Sequence, residues 1–355
     1  MGAILRVRFH GNYLTGGLVF CLLNFLIASL VLDSRGLQAA EVNVYSGRKE
    51  ALIMPVLNRF TEQTGVTVNL VSGKAEQLRE RLIVEGRNSP ADLLITADVA
   101  NLHRSMVAGL LQPIESEILS RRIPLIYRDP TKQWFGLSLR ARVFVFAPDR
   151  VGRGELSTYE NLAEPKWRKR IAVRSSSNVY NQSLIASMIA THGITNTENW
   201  ARGLVANFAR SPQGGDTDQI RAVASGEADI AIVNSYYYGR LMDSSRKRDK
   251  GLVEKTALFF PNQDGRGTHV NISGAAVTAS AKNRREAVSL LEFLASSEGQ
   301  SLFAELNHEF PVSRGVDKSP IVSSWGAFKA DELKLALLGE HNGDAIRLAD
   351  RVGWR

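Results

Sequence analysis

The sequence predicts an α/β protein of two lobes, joined by crossing strands, with a ligand cleft between the lobes. The chain has 355 residues, which is long for one compact unit. Its 44% hydrophobic and 23% charged residues are typical of a globular protein with a sizeable core. From Glu41 onward, strand-like and helix-like segments alternate, which indicates βαβ units and a largely parallel sheet.

Residues 1–40 differ in composition from the rest of the chain. Basic residues precede the apolar block LVFCLLNFLIASLVL, and a polar gap then ends in two alanines. A basic end, a short apolar block and small residues at the exit predict a secretory signal peptide that is cleaved near residue 40. The alternative is an uncleaved membrane anchor, since the block approaches the lower length limit for crossing a bilayer.

Cysteine and charge exclude several classes of site. Cys21 is the single cysteine and lies inside the apolar block, so the chain after residue 40 has no thiol. This excludes disulfides, thiolate metal sites and cysteine nucleophiles from the exported protein. The net charge of +8 is mild and its basic residues are dispersed, so we expect no nucleic-acid partner.

The first series of elements begins with the strand VNVYSG. The helix EALIMPVLNRFTEQTG follows it, and Gly65 is its stop signal. The apolar face of this helix consists of Leu52, Ile53, Val56, Leu57 and Phe60. The series continues with the strand VTVNLV, the helix KAEQLRERLIVEG, the strand ADLLITAD and the helix VANLHRSMVAGLL.

The long strand WFGLSLRARVFVFAP separates this series from a second one. RIAVRSSS leads into the helices NVYNQSLIASMIATHG and TENWARGLVANFA, and DQIRAVASGEADIAIVNS is typical of a helix and then a strand. Extended segments follow from Phe259. Three helical stretches complete the chain, REAVSLLEFLASSEGQSLFAEL, FKADELKLALLGE and AIRLADRVG. We assign residues 41–138 and 262–355 to lobe 1, and residues 139–261 to lobe 2.

Polar side chains follow three of the predicted strands. Arg48 comes after VNVYSG, and RSSSN with Tyr180 comes after RIAV. Asn234 and the tyrosines of SYYYG come after ADIAIV. In open parallel sheets, ligands bind beyond the carboxyl ends of the strands, so we expect these side chains to share one rim.

Converging tyrosines indicate a particular metal chemistry. Phenolate is a hard anionic oxygen donor, which suits small and highly charged cations. A free tyrosine has a pKa of about 10 and keeps its proton at neutral pH, but a trivalent ion drives that proton off. Two or three phenolates without a thiol therefore predict a ferric iron site. The alternative is an aromatic cluster of the core or of an interface, with one end in water.

The segment RSSSN precedes a predicted helix. Ser and Asn side chains with backbone N–H groups at a helix start bind anions, although the segment could equally serve only as a helix cap. Beside a trivalent cation, a small anion such as carbonate would fill remaining coordination positions and offset charge. Arg48 and Arg140 are the candidates for the opposing positive charge, whereas we expect an ordinary strand role for Arg142.

At these residues the chain resembles the periplasmic ferric-iron-binding proteins of bacterial ABC importers. The likeness runs from about Val42 to Trp354, and it includes VYSGRKE, NSPADLLIT, WFGLSLRARV, RSSSNVYNQS, VNSYYYGRL and NISGAAVTASAKN. The resemblance implies a two-lobed type II binding-protein fold and ferric iron held by tyrosines, often with a synergistic anion. It also implies a periplasmic receptor that delivers iron to a membrane permease driven by a cytoplasmic ATPase. We expect such a receptor to be a monomer.

The resemblance also implies roles for individual residues. The iron ligands fall on Tyr180, Tyr236 and Tyr237, which leaves Tyr238 for packing. The residues implied to contact the anion or to support the site are Arg48, Arg140, Ser176, Asn178 and Asn234.

The first loop, SGRKEA, departs from the family pattern. Lys49 and Glu50 stand where some members have a histidine or a His-Tyr pair, and Ala97 stands where neisserial-type members have a carboxylate. Glu50 is therefore the candidate for a direct ligand from lobe 1. Without it, we expect a three-tyrosine site completed by anion or water.

Two other functional classes compete with iron binding. A protein of the same fold could bind an organic or oxyanion ligand such as a phosphonate, polyamine or thiamine, but such sites use aromatic stacking or arginine–carboxylate pairing rather than three phenols. An exported hydrolase would need a catalytic motif, and no G-x-S-x-G, H-E-x-x-H or Ser/His/Asp spacing is evident. We therefore expect that the protein is not an enzyme.

Overall fold

A computed structural model describes residues 40–355 of the chain. The predicted signal peptide and Cys21 lie outside these described residues. Among residues 40–355, no helix is both long enough and apolar enough to cross a membrane.

The first part of the fold alternates strands and helices as predicted. Its elements are β1 (Glu41–Ser46), α1 (Glu50–Thr64), β2 (Thr67–Ser72), α2 (Ala75–Glu85), β3 (Leu93–Thr96) and α3 (Val99–Val107). Four of the five apolar residues predicted for one face of α1 are buried, and Gly65 ends the helix with a left-handed φ of 72°. Strand β1 pairs in parallel with both β2 and β3.

The second part of the fold carries the predicted tyrosines. Its elements are α4 (Glu117–Arg122), β4 (Phe135–Phe146), β5 (Ile171–Ala172), α5 (Val179–Ala206), α6 (Asp216–Ala224), β6 (Ile230–Asn234), α7 (Ser235–Met242), α8 (Lys247–Glu254) and β7 (Ala257–Phe259). The two helices predicted on either side of Gly193 are both present within α5, which is interrupted by a kink at Gly193, where φ is 76° and ψ is 167°. Strands β5 and β6 pair in parallel, so their carboxyl ends lie at the same edge of the sheet.

The remaining elements complete the sheet and cover it. They are β8 (Val270–Val277), α9 (Arg284–Leu294), α10 (Ser297–Asn307), β9 (Phe310–Pro311), α11 (Pro320–Ser324), α12 (Ala336–Glu340) and α13 (Asn342–Val352). The prediction of a helix over FKADELKLALLGE is wrong for most of that stretch, because only its end is helical. Ala330 instead forms a parallel bridge with Thr268, and this tertiary pairing holds the segment extended.

The buried strand β4 joins the two parts of the sheet. Its first half pairs antiparallel with β8 and its second half with β6, in the order β2-β1-β3-β8-β4-β6-β5. The prediction of a largely parallel sheet is therefore wrong for the centre, which is antiparallel from β3 through β8 and β4 to β6. The βαβ pattern of the sequence predicts how consecutive strands pair. It does not predict the position of β8, which comes from a distant part of the chain and lies between β3 and β4.

Helix α13 packs against α5. The last helix of the chain therefore lies on the segment 139–261, although the sequence-based boundaries place residues 262–355 in lobe 1. The boundaries of the lobes themselves stay a prediction.

Candidate metal centre

The predicted tyrosines lie in the first turns of two helices that start at neighbouring strand ends. Tyr236 and Tyr237 follow β6 directly and begin α7, and Tyr180 lies in the first turn of α5 beyond β5. The hydroxyl of Tyr236 donates to that of Tyr180 at 3.1 Å. The rings of Tyr236 and Tyr237 stack with their centroids 4.4 Å apart. The structure thus brings the three phenols together, as the shared edge of β5 and β6 predicts.

These phenols face a cavity of ≈ 190 Å³ that both parts of the fold help to form. The residues that line it are Gly47, Arg48, Lys49, Leu52, Ala97, Arg140, Tyr180, Tyr236, Tyr237, Arg240 and Glu309. Ala97 follows β3 directly and gives the wall no carboxylate at this position. Glu50 is exposed in the first turn of α1 and is not part of the wall.

Burial sets the protonation of two phenols. It raises the pKa of Tyr236 well above its ordinary value, and the neighbouring phenols of Tyr180 and Tyr237 add to the rise. Burial also raises the pKa of Tyr237, with further contributions from Tyr180 and Asp216. Both side chains therefore hold their protons at neutral pH, and only a strong local positive charge would make them phenolates.

Arg48 is held by a carboxylate that the sequence analysis did not identify. Its guanidinium forms a two-point contact with Glu309, with both N–O distances 3.1 Å, and also donates to the hydroxyl of Ser273. Burial acts to raise the pKa of Glu309, but the charges of Arg48 and Arg140 hold it below its ordinary value. Glu309 is therefore an anion on the cavity wall. Because it is far from Arg48 in the sequence, no local sequence pattern predicts their pairing.

Arg140 is buried beside Tyr180. Its guanidinium carbon lies 5.2 Å from the centre of the Tyr180 ring, and a terminal nitrogen lies 3.5 Å from the carboxylate of Asp98. It also donates to the hydroxyl of Ser273 and to the carbonyl of Ile272, both at 3.1 Å. Like Arg48, Arg140 thus lines the cavity while its charge is already balanced by a neighbouring carboxylate.

The other predicted anion contacts have different positions. Asn178 caps α5, since its side-chain oxygen accepts from the Tyr180 N–H at 3.0 Å. The side-chain oxygen of Asn234 accepts from Arg142 at 3.2 Å. Ser176 does not line the tyrosine cavity, and its hydroxyl donates to the carbonyl of Trp354. The cap role of RSSSN is thus visible in the structure.

Two cations on the cavity wall have no carboxylate partner. Within residues 40–355, neither Lys49 nor Arg240 forms an ion pair, although both line the cavity. The Arg240 guanidinium lies 4.9 Å from the ring centre of Tyr236 and 5.7 Å from that of Tyr237. In the sequence, Lys49 is evident only as a departure from the family pattern, and no local pattern points to Arg240.

Tyr238 and Arg142 do not line the tyrosine cavity. Tyr238 is buried and its hydroxyl donates to the carbonyl of Thr256 at 2.8 Å. Arg142 pairs with the buried Asp216 at 3.2 Å. Among the described residues, no group of three His, Cys, Asp or Glu side chains could hold a metal ion. The oxygen donors on the cavity wall are the three phenols and the carboxylate of Glu309, which is paired with Arg48.

Gly239 lies in α7, the helix that carries the paired tyrosines, and we expect its replacement to change the stability of the protein. A Cβ at this position would lie 2.6 Å from the Cβ of His308. We expect Gly239→Ala to lower the free energy of unfolding by about 1–3 kcal/mol, because the helix would have to shift to relieve the overlap. Denaturant unfolding monitored by circular dichroism measures this change.

Gly251→Ala is the matched control, because Gly251 lies in the neighbouring helix α8 and an added Cβ would have no atom within 4 Å. It should raise stability by up to about 1 kcal/mol through helix propensity. If both variants gain stability equally, α7 does not depend on close packing at Gly239.

Comparison with known proteins places the chain among solute-binding proteins. The family model described as bacterial extracellular solute-binding protein matches residues 42–305. Iron uptake protein A1 of Synechocystis is 47% identical over 92% of this chain and 90% of its own length. The major ferric iron-binding protein of Neisseria meningitidis serogroup B is 29% identical over 89% of this chain and 94% of its own length.

Solved structures give the same picture for the fold. A Trichodesmium protein in complex with iron and citrate has a TM-score of 0.86 at 49% identity, covering 89% of this chain and all of its own. A ferric binding protein from Campylobacter jejuni has a TM-score of 0.85 at 39% identity, covering 88% of this chain and all of its own. The predicted type II binding-protein fold is confirmed by this likeness.

Proposed function

Because this chain belongs to the family of bacterial extracellular solute-binding proteins, we propose that it is the periplasmic binding component of an iron(III) ABC importer. The observation that carries the proposal is the meeting of three phenols from two chain segments in one cavity, with the hydroxyls of Tyr236 and Tyr180 3.1 Å apart. The names of its relatives, iron uptake protein and ferric iron-binding protein, support ferric iron as the cargo.

The iron ligands in this proposal are Tyr180, Tyr236 and Tyr237. Phenolate is a hard donor that suits ferric iron, and the charge of the ion removes the protons that burial keeps on Tyr236 and Tyr237. Three phenolates balance the three positive charges of the ion. A small anion such as carbonate, or water, completes the coordination.

The two unpaired cations of the wall are placed to balance such an anion. Arg48 and Arg140 already face Glu309 and Asp98. Lys49 and Arg240 line the same cavity, and within residues 40–355 they have no such partner. We therefore propose that Lys49 and Arg240 balance the charge of the anion. Arg48 and Arg140 instead shape the cavity wall beside Ser273 and Tyr180.

The two halves of the sheet support an opening and closing cleft. Strand β4 is common to both halves, and the cavity is lined from both. We propose that residues 41–138 with 262–355 form one lobe and residues 139–261 the other, with iron bound between them. The loaded protein, a monomer in the periplasm, then delivers iron to a membrane permease driven by a cytoplasmic ATPase. This role is transport rather than catalysis.

Adding ferric citrate to the purified chain Glu41–Arg355 tests the proposal. We expect a visible absorption band, because phenolate-to-ferric charge transfer absorbs visible light. Since the pKa values of Tyr236 and Tyr237 are raised, iron must displace their protons. Acid therefore favours the iron-free protein, and the affinity should fall about tenfold per pH unit for each proton released.

Circular dichroism at each pH is the control, since it shows that the band is lost from folded protein. A protein that takes up ferric iron without a band, or with an affinity independent of pH, would exclude phenolate ligands. Tight binding of a phosphonate, polyamine or thiamine with no response to iron would favour the alternative function.

A further inference from the structure

Trp354, near the C-terminal end of the chain, is hydrogen-bonded to the loop that precedes Tyr180. We infer that Trp354 is a positioning residue for iron binding, which acts through the loop of residues 174–178 to hold Tyr180 in place. This inference rests on the proposed function. It assigns a role in iron affinity to a side chain outside the tyrosine cavity and near the end of the sequence.

Trp354 contacts the loop through two hydrogen bonds. Its indole N–H donates to the carbonyl of Arg174 at 3.2 Å, and its own carbonyl accepts from the hydroxyl of Ser176. Its side chain is fully buried, with 0% exposure. Because one bond uses the side chain and the other the backbone, Trp354 fixes the loop at two points rather than one.

The loop connects directly to a proposed iron ligand, and an ion pair of 3.8 Å between Arg174 and Asp216 also links it to α6. It lies between the two-residue strand β5 and the first turn of α5. From inside α5, Asn181 donates to the carbonyl of Arg174 at 2.7 Å and Gln182 to that of Ser176 at 3.0 Å. These bonds tie the loop to the first turn of α5, whereas Trp354 ties it to α13 and to the distant end of α5 at Trp200.

The anchored residue also contacts the tyrosine itself. The guanidinium carbon of Arg174 lies 5.4 Å from the centre of the Tyr180 ring. The carbonyl of the same residue is the one that accepts from the Trp354 indole. A shift of the Arg174 backbone would therefore move one of the groups against which the Tyr180 ring is packed.

Trp354 is itself held firmly enough to act as an anchor. Its ring packs edge-on against Trp200 and Phe208, with centroids 6.3 and 5.6 Å away. Helix α13, which precedes it, is tied to α5 by an ion pair between Arg351 and Glu198 at 2.8 Å. Asn342 at the start of α13 donates to Gln182 at 3.2 Å.

The expected effect follows from how metal sites depend on their supporting residues. Residues that orient metal ligands without touching the metal typically change affinity by about 10–100-fold when they are replaced. Trp354→Phe removes the N–H that holds Arg174 and keeps an aromatic ring in the cluster. We expect it to weaken ferric iron binding by about 10–100-fold in competition with citrate.

Trp200→Phe is the matched control. Trp200 belongs to the same aromatic cluster and also donates its N–H to a backbone carbonyl, that of Tyr159 at 2.8 Å. Among the described residues, neither its hydrogen bond nor its aromatic contact reaches residues 174–178. Both variants should lose similar thermal stability, but only Trp354→Phe should weaken iron binding. Equal losses of iron affinity would show that Trp354 acts through general stability and would overturn the inference.

A double-variant experiment tests the route through Tyr180. In a Tyr180→Phe background, Trp354→Phe should cause no further loss of iron affinity, because the ligand that it positions is already absent. The same loss in both backgrounds would overturn the inference.

Amide hydrogen exchange in the iron-free protein gives a readout that needs no iron. Trp354→Phe should speed exchange at residues 174–181, where Asn178 bonds the N–H of Tyr180, and Trp200→Phe should not. If the wild-type protein takes up no iron but exchange responds in this way, the proposed function fails while the anchoring of the loop stands. Unchanged exchange in Trp354→Phe would overturn the anchoring itself.

Discussion

We expect Tyr236→Phe to abolish most of the visible absorption of the iron-loaded protein and most of its affinity for ferric iron. Tyr236 is the middle member of the cluster, bonded to Tyr180 at 3.1 Å and stacked on Tyr237 at 4.4 Å. Its ring is 6% exposed. Phe keeps the ring and its stacking but removes the oxygen, so we expect the fold to remain while one of the three proposed ligands is lost. The affinity should fall by more than the roughly 100-fold that a supporting residue costs.

Tyr238→Phe is the control for this experiment, because it removes a hydroxyl from the adjacent residue of the same helix. That hydroxyl donates to the carbonyl of Thr256 and does not line the cavity. The control should lose about 1 kcal/mol of stability and keep the absorption band. A Tyr236→Phe protein that retains the wild-type band would remove Tyr236 from the ligand set.

Arg142→Met should produce the largest loss of stability among the substitutions considered. Arg142 and Asp216 form a buried ion pair at 3.2 Å, with side chains 2% and 0% exposed. Arg142 also donates to Asn181 at 2.6 Å, and so it links β4 to α5 and α6. Removing only the cation leaves the Asp216 carboxylate buried near Tyr236. We expect a loss of about 3–5 kcal/mol, measured by denaturant unfolding of the iron-free protein.

Arg347→Met supplies the matched control. Arg347 pairs with Asp344 at 2.6 Å on the exposed surface of α13, where its side chain is 67% exposed. The loss of that pair should cost about 1 kcal/mol at most, because water screens both charges. If Arg142→Met were no more costly than Arg347→Met, the buried pair would not be what holds these elements together.

Much of the candidate site follows from local sequence patterns. A buried strand followed by a helix start places the first helical side chains at the strand's carboxyl end, and this holds for both β5 with Tyr180 and β6 with Tyr236. Because β5 and β6 are parallel neighbours, the two ends fall at one edge. The prediction that these phenols meet needed only the order of elements and the general rule for open sheets.

Other features of the site have no signal in neighbouring residues. Glu309 pairs with Arg48, Asp98 with Arg140 and Trp354 with Arg174, and each partner comes from a distant part of the chain. The helix predicted over FKADELKLALLGE is wrong for the same reason. Ala330 in this stretch forms a bridge with Thr268, which comes from a distant part of the chain. Local sequence patterns predict the propensity of a segment for helix or strand. These pairings depend instead on which surfaces the folded chain brings together.

The sequence by itself determined the alternation of strands and helices, the positions of the three tyrosines at strand ends, and the absence of any thiol after residue 40. The tertiary structure alone decided which cations of the cavity are already paired and which are not. That distinction depends on distances of a few ångströms between residues far apart in the chain, because the energy of an ion pair falls with separation and with exposure to water. Arg48 and Lys49 lie in the loop after β1, and Arg140 lies within β4. Only the folded chain shows that Glu309 pairs with Arg48 and Asp98 with Arg140.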